Sequence, residues 1–157
     1  MGDRDVMAEP GATGEHGAMG EHTATGEHSA MGERGAIRAL TRRLLPLLLV
    51  GDHPALPGLR AQASAVVIER VDESGSGFFV HLDMPSEVAA VDVAYAAGGD
   101  AVIVFEGDVL PAGCVLFVRD GRLSMLELYT YDGVWPGEAA VIDVRHPRPL
   151  FDDTGAS

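Results

Sequence analysis

The sequence predicts an α+β fold, an N-terminal helical segment packed on a largely antiparallel sheet of about six strands. Three observations carry that expectation. Asp120-Gly121 stands between two apolar runs, and this pair suits the type I′ turn of a two-residue β-hairpin because both residues tolerate φ > 0. Short apolar runs punctuated by Gly, Pro, Asp and Ser recur from Ser64 onward. No helix-length segment lies between the later runs, so a parallel α/β sheet, which needs long crossovers, fits poorly.

The chain has 157 residues, enough for one domain with a core of its own. Its formal net charge is -13, from 24 acidic residues against 11 basic ones, all arginine. Such an excess repels phosphate backbones, so no nucleic-acid partner is expected. Without lysine there is neither Schiff-base nor P-loop chemistry. Cys114 is the one cysteine; it reads as a small buried hydrophobe and fits a reducing, cytoplasmic setting.

Residues 1–35 hold a hexad repeat, Ala-Thr-Gly-Glu-His-Gly from Ala12 and three variants of it through Gly35. Frequent glycine and few large apolar side chains leave little to offset the entropy of ordering, so a disordered tail is expected there, followed by a single α+β domain over 36–157. His16, His22 and His28, beside Glu15, Glu21 and Glu27, are conceivable metal ligands, but a solvated tail explains them more simply. Neither a metal nor a cofactor is expected. Met7, Met19 and Met31 are each compatible with a later translation start.

From Ala36 the composition turns apolar. Ile37, Leu40, Leu44, Leu47 and Leu48 lie on one helical stripe with Arg38 and Arg42 opposite; Pro46 should kink or restart the helix, and Gly51 should end it. Asp52 then caps a short helix through about Gln62, with Pro54 in its first turn. Arg34 to Arg43 followed by Leu44 to Val50 mimics a signal peptide, with Ala61-Gln62-Ala63 as a mock cleavage site. The apolar run is nevertheless short and divided by Pro46, so export and a membrane span are disfavoured.

Ala65–Val71 and Phe78–Met84 read as a hairpin with a longer loop, Phe78, Val80, Leu82 and Met84 facing inward and Phe79, His81 and Asp83 outward. Residues 88–97 lean to strand, Gly98-Gly99-Asp100 to a turn, Ala101–Glu106 to a strand and Gly107–Gly113 to a loop. In the central hairpin, Cys114–Tyr131, a two-residue loop pairs Val118 with Leu123, Phe117 with Ser124, Leu116 with Met125 and Cys114 with Glu127. One face then holds Val115, Phe117, Leu126 and Leu128; the other holds Cys114, Leu116, Val118, Leu123, Met125, Glu127, Tyr129 and Tyr131. Both are mainly apolar, as for strands covered by helix on one side and by further structure or a partner chain on the other. Glu127 is the exception, a carboxylate among Leu, Met and Tyr that needs a partner. Asp132–Gly137 is irregular, Ala140–Arg145 closes the sheet, and Pro147, Pro149 and the polar end from Asp152 suggest fraying.

Ser76-Gly77-Phe78-Phe79, the run Leu116 to Glu127, Tyr129-Thr130-Tyr131 and Trp135-Pro136 together resemble a group of small bacterial proteins of unknown function. The likeness spans roughly Ala36 to Arg145, and Asp-Gly-Arg-Leu-Ser-x-Leu-Glu is its most specific part. It implies a small soluble α+β domain and no particular activity.

His81 and Asp83, two apart on one strand face, could orient an imidazole for acid-base work, but a wet strand face explains them equally well. Ser124 lacks a nucleophile-elbow context and Cys114 an electropositive one. Ser74-Gly75-Ser76-Gly77 opens a strand and so lacks the helix dipole of a phosphate cradle. Glu127 with Tyr129, Tyr131 and Trp135 is the strongest cluster, either a buried carboxylate pinning the following loop or an aromatic-rimmed recognition surface. The expected function is non-enzymatic protein binding, of an immunity or accessory kind, through the sheet face or the aromatic loop. A homodimer through the sheet and a small hydrolase using Glu127 and His81 are the alternatives.

Overall fold

The computed structural model of the chain describes residues 16–137 and 140–151, with side chains from Met31 onward. The chain divides into two units, Met1–Gly35 and Ala36–Ser157. Helix α1 runs His16–Leu48, so helical backbone covers residues 16–35, where disorder was the expectation. Glycine costs a helix about 1 kcal/mol per residue, but extending a helix already nucleated downstream needs no new nucleus. Residues 1–15, the side chains of His16, His22 and His28, and the segment from Asp152 lie outside the described residues.

In the second unit, two helices and seven antiparallel strands build the α+β fold. Helix α2 spans Leu56–Ala65; the strands are β1 (Val67–Glu73), β2 (Gly77–Asp83), β3 (Tyr95–Gly98), β4 (Asp100–Phe105), β5 (Ala112–Arg119), β6 (Arg122–Thr130) and β7 (Val141–Arg148). The sheet order is β1-β2-β6-β5-β4-β7, and β3 also pairs with β5. From Ala36 on, α1 buries Ile37, Leu40, Leu44, Leu45, Leu48 and Leu49 in one core with the inner faces of the strands. Leu45 and Leu49 join the expected stripe where Leu47 was read, and the helix continues through Pro46. Arg38 Nη1 donates to the Ile68 carbonyl at 2.8 Å, tying α1 to the edge strand β1.

α2 begins later than expected and is not capped by Asp52. Its N-cap is Ala55, with no side-chain cap bond, and His53 orders the turn before it: His53 Nδ1 accepts from the Ala55 N–H at 3.1 Å and the His53 carbonyl from the Leu56 N–H at 3.0 Å. Pro57 falls in the first turn, where a missing N–H costs nothing. Fully buried Gln62 then holds the far end of the central hairpin. Its Nε2 donates to the carbonyls of Ala89 (3.0 Å) and Gly121 (2.8 Å), and its Oε1 accepts from the Leu123 N–H at 2.8 Å.

The Asp-Gly turn forms as predicted, with Asp120 at φ 52° and Gly121 at φ 75°. A Cβ on Gly121 would strike the Val91 carbonyl, so the close approach of that loop also requires glycine. The pairing beyond the turn differs. Val118 faces Leu123, but then the register slips by one, and Phe117 faces Met125, Leu116 faces Leu126, Val115 faces Glu127 and Cys114 faces Leu128. Ser124 is the extra residue of a β-bulge. Leu123 and Leu126 are three apart, so strict alternation cannot bury both, and one extra residue can. Cys114, Leu116, Val118, Leu123, Leu126 and Leu128 thus line the core, while Val115, Phe117, Met125, Glu127 and Tyr129 turn outward. Glu127 is therefore half-buried on the outer face and not lodged among the core leucines.

Two further breaks were misread. Gly98-Gly99-Asp100 is not a reversal: β3 and β4 run consecutively along β5, Gly98 opposite Leu116 and Ile103 opposite Ala112. Gly99 sits at φ 74° and the Asp100 carboxylate accepts the N–H groups of Ala101 and Cys114, closing the break internally. Of residues 88–97 only Tyr95–Ala97 are strand. At the other end, β7 runs on through Pro147, tolerated because β7 is an edge. The chain to Phe151 is tied down where fraying was expected: the Leu150 N–H donates to the Leu48 carbonyl at 2.7 Å, and Phe151 stacks on His53 at 3.7 Å.

Candidate functional site

From Ala36 on, α1 and α2 pack with the inner side of the sheet. The other side carries half-buried Phe79, Val102, Val104, Val115, Phe117 and Met125, none of which belongs to the core cluster. Register arranges the central ones in rows. Asp72, Phe79, Glu127 and Val115 are successive cross-strand neighbours, as are Arg70, His81, Met125 and Phe117. Opposed side chains in such rows stand about 4.5–5.5 Å apart at Cβ, so the apolar members form one continuous surface.

Four of the five sequence-predicted site residues lie on this outer face. His81, Glu127 and Tyr129 are half-buried, and Tyr131 is 61% exposed. Trp135 is elsewhere. Its ring meets the core residues Phe78 and Phe105 edge-on at 5.3 and 5.2 Å, so it closes one end of the core and does not rim a recognition surface with the tyrosines. Tyr129 and Tyr131 meet at 5.7 Å, nearly perpendicular. The Tyr129 ring lies over Gly113, where a Cβ would come within 2.7 Å of the phenol. Partial burial, with the negative charge of Asp100 behind it, pushes the Tyr129 hydroxyl up to about 12.

His81 finds a partner that the sequence did not suggest. Its Nε2 lies 3.0 Å from Asp72 Oδ2 and 3.2 Å from Arg70 Nη2, so its tautomer sets whether it donates to the carboxylate or accepts from the guanidinium; Arg70 Nε donates to the same Asp72 oxygen at 2.8 Å. Arg70, helped by His81, holds the Asp72 carboxyl below its usual range. Asp83 takes no part. Glu127 sits one row away from His81, opposite Phe79, and no hydrogen bond joins the two among the described residues. An imidazole oriented by a carboxylate can act as a base, but the neighbours of His81 along the sheet are Met125 and Arg70, and neither is a nucleophile. The geometry therefore brings an apolar face with a charged fringe, and keeps His81 and Glu127 in separate rows.

Among the described residues no group of three or more His, Cys, Asp or Glu gathers as for a metal ion. No described helix is long and apolar enough to cross a membrane. Cys114 is buried on the core side, and its thiol is pushed up to about 12 by burial first and by Asp100 second, the reverse of a reactive cysteine. The outer face was hidden from sequence reasoning by the bulge at Ser124; the three-residue gap from Leu123 to Leu126 was the available signal. Comparison with protein-family models, curated proteins and solved structures finds no match to this chain.

Proposed function

We propose that this chain is a non-enzymatic binding domain that docks a basic protein partner on the outer sheet face, in the manner of an immunity or accessory factor of the bacterial cytoplasm. One observation carries the reading: Phe79, Val115, Phe117 and Met125 stand together on the side of the sheet away from the core, each of them partly exposed. Contiguous exposed apolar surface marks interaction sites. Glu127 within the rows, on a chain of net charge -13, selects a basic partner over a second copy, which would bring like net charges together. The hairpin's resemblance to small bacterial proteins of unknown function is part of the same proposal.

The test places a photo-crosslinking phenylalanine analogue at Phe117 and, as a control, at Ile142 on β7. The expected result is a discrete adduct with a basic protein from position 117 alone, lost when Glu127→Lys is added. An adduct with a second copy would replace the reading with a homodimer, and no adduct would remove it. The hydrolase alternative gains nothing from the placement of His81 and Glu127 in separate cross-strand rows.

A further inference from the structure

We propose that the cleft between α1 and α2 is a small-molecule site for an amphipathic anion, a medium-chain acyl carboxylate. It lies apart from the outer sheet face and does not depend on the function proposed for that face. The cleft has a volume of about 390 Å³. That lies within the roughly 300–1,000 Å³ of typical ligand sites. Its floor is Leu45 of α1 and Leu49 just past its end, with Ala63 of α2, and the ring of Pro46 adds an apolar wall. Its polar lining is Arg42 on one helix and Arg60 and Ser64 on the other.

Arg42 and Leu45 stand three apart on α1, with Leu49 four further on just past its end, and Arg60, Ala63 and Ser64 recur at helical spacing on α2. Two helical stripes thus face each other across an apolar trough. Arg60 is already held in place, with Nε donating to the Leu49 carbonyl at 2.7 Å and Nη2 to the Gly51 carbonyl at 3.1 Å. Its remaining N–H groups are preorganised for a ligand. Among the described residues neither Arg42 nor Arg60 pairs with a carboxylate, although acidic residues outnumber basic ones 24 to 11 in this chain. Positive charge left uncompensated beside an apolar trough fits a ligand with a negative head and an apolar tail.

The full chain is titrated calorimetrically with sodium decanoate below its micellar concentration, with decyltrimethylammonium as the control. The expected result is saturable uptake of one decanoate per chain, with the cation about tenfold weaker or worse. Arg42→Gln should weaken decanoate about tenfold, the loss of one charge-assisted contact. Ser64→Trp, at an exposed rim position, should fill the cleft and abolish uptake, while circular dichroism shows both variants folded. Absence of saturable uptake, equal binding of the cation, or unchanged affinity in both folded variants would each overturn the proposal. So would a second copy in the cleft, seen as a concentration-dependent dimer that Ser64→Trp dissolves.

Discussion

Gln62 shows how one polar side chain can fix two segments distant in sequence. It is fully buried and satisfies two carbonyls and one amide on the 85–94 loop and the hairpin turn. Gln62→Ala would strand these groups without water, and each costs about 1–3 kcal/mol when left unmade. We expect a loss of about 3 kcal/mol by urea denaturation with an unchanged m-value, and a loss under about 1 kcal/mol would contradict this role. Nothing in the sequence marks Gln62, because its burial is decided by where α2 lands on the hairpin turn. Cys114 was legible for the opposite reason, since a lone cysteine in an apolar run is governed by local burial. It and Tyr129 also tie the stability of the fold to alkaline pH. Both hold their protons to about 12 when folded, from ordinary values of 9.0 and 10.0. Between those values and about 12 the unfolded chain releases protons that the folded chain keeps, so this stabilisation is complete below pH 9 and declines as pH rises. Cys114→Ala should therefore flatten the fall in Tm above pH 9, and an unchanged slope would show that the thiol does not contribute.

At the level of elements, the strands were readable but their irregularities were not. A glycine at positive φ serves a turn or an internal break equally, so Gly98-Gly99-Asp100 looked like a reversal although Gly99 only interrupts a strand that keeps its direction along β5. The bulge at Ser124 was the more consequential miss, because one extra residue exchanged the two faces of β6 and carried Glu127 outward. The register makes a sharp prediction. Deleting Ser124 leaves Leu123, Met125, Leu126, Glu127 and Leu128 in strict alternation, with the same leucines inward. The variant should fold with a stability change within about 1–2 kcal/mol, the range of ordinary single changes. Deleting Phe117 from β5 removes a residue with no bulge to absorb it and sends half of that strand's core residues outward, so that variant should not fold. Thermal melts of the two deletions decide the matter, and equal damage from both would refute the register.

For the whole molecule, the acidic excess and the apolar outer face pull in measurable and opposite ways. With 24 acidic against 11 basic residues, the compact state repels itself at neutral pH. Among the described residues the ion pairs of Asp72 with Arg70 and His81 and of Asp143 with Arg145 lie at the surface and relieve little of that field. Salt screens exposed charges beyond about 10 Å at 0.1 M, so Tm should rise between about 0.01 and 0.3 M NaCl even before sulfate-like effects enter. The same screening weakens the steering of a basic partner toward the outer face, so the association rate of a crosslink-identified partner should fall over the same range. Stability and capture are thus expected to respond to salt with opposite signs, by differential scanning fluorimetry and stopped-flow binding on one preparation. If both rose together, the partner would be held by the apolar rows of Phe79, Val115, Phe117 and Met125 alone, and Glu127 would have no part in choosing it.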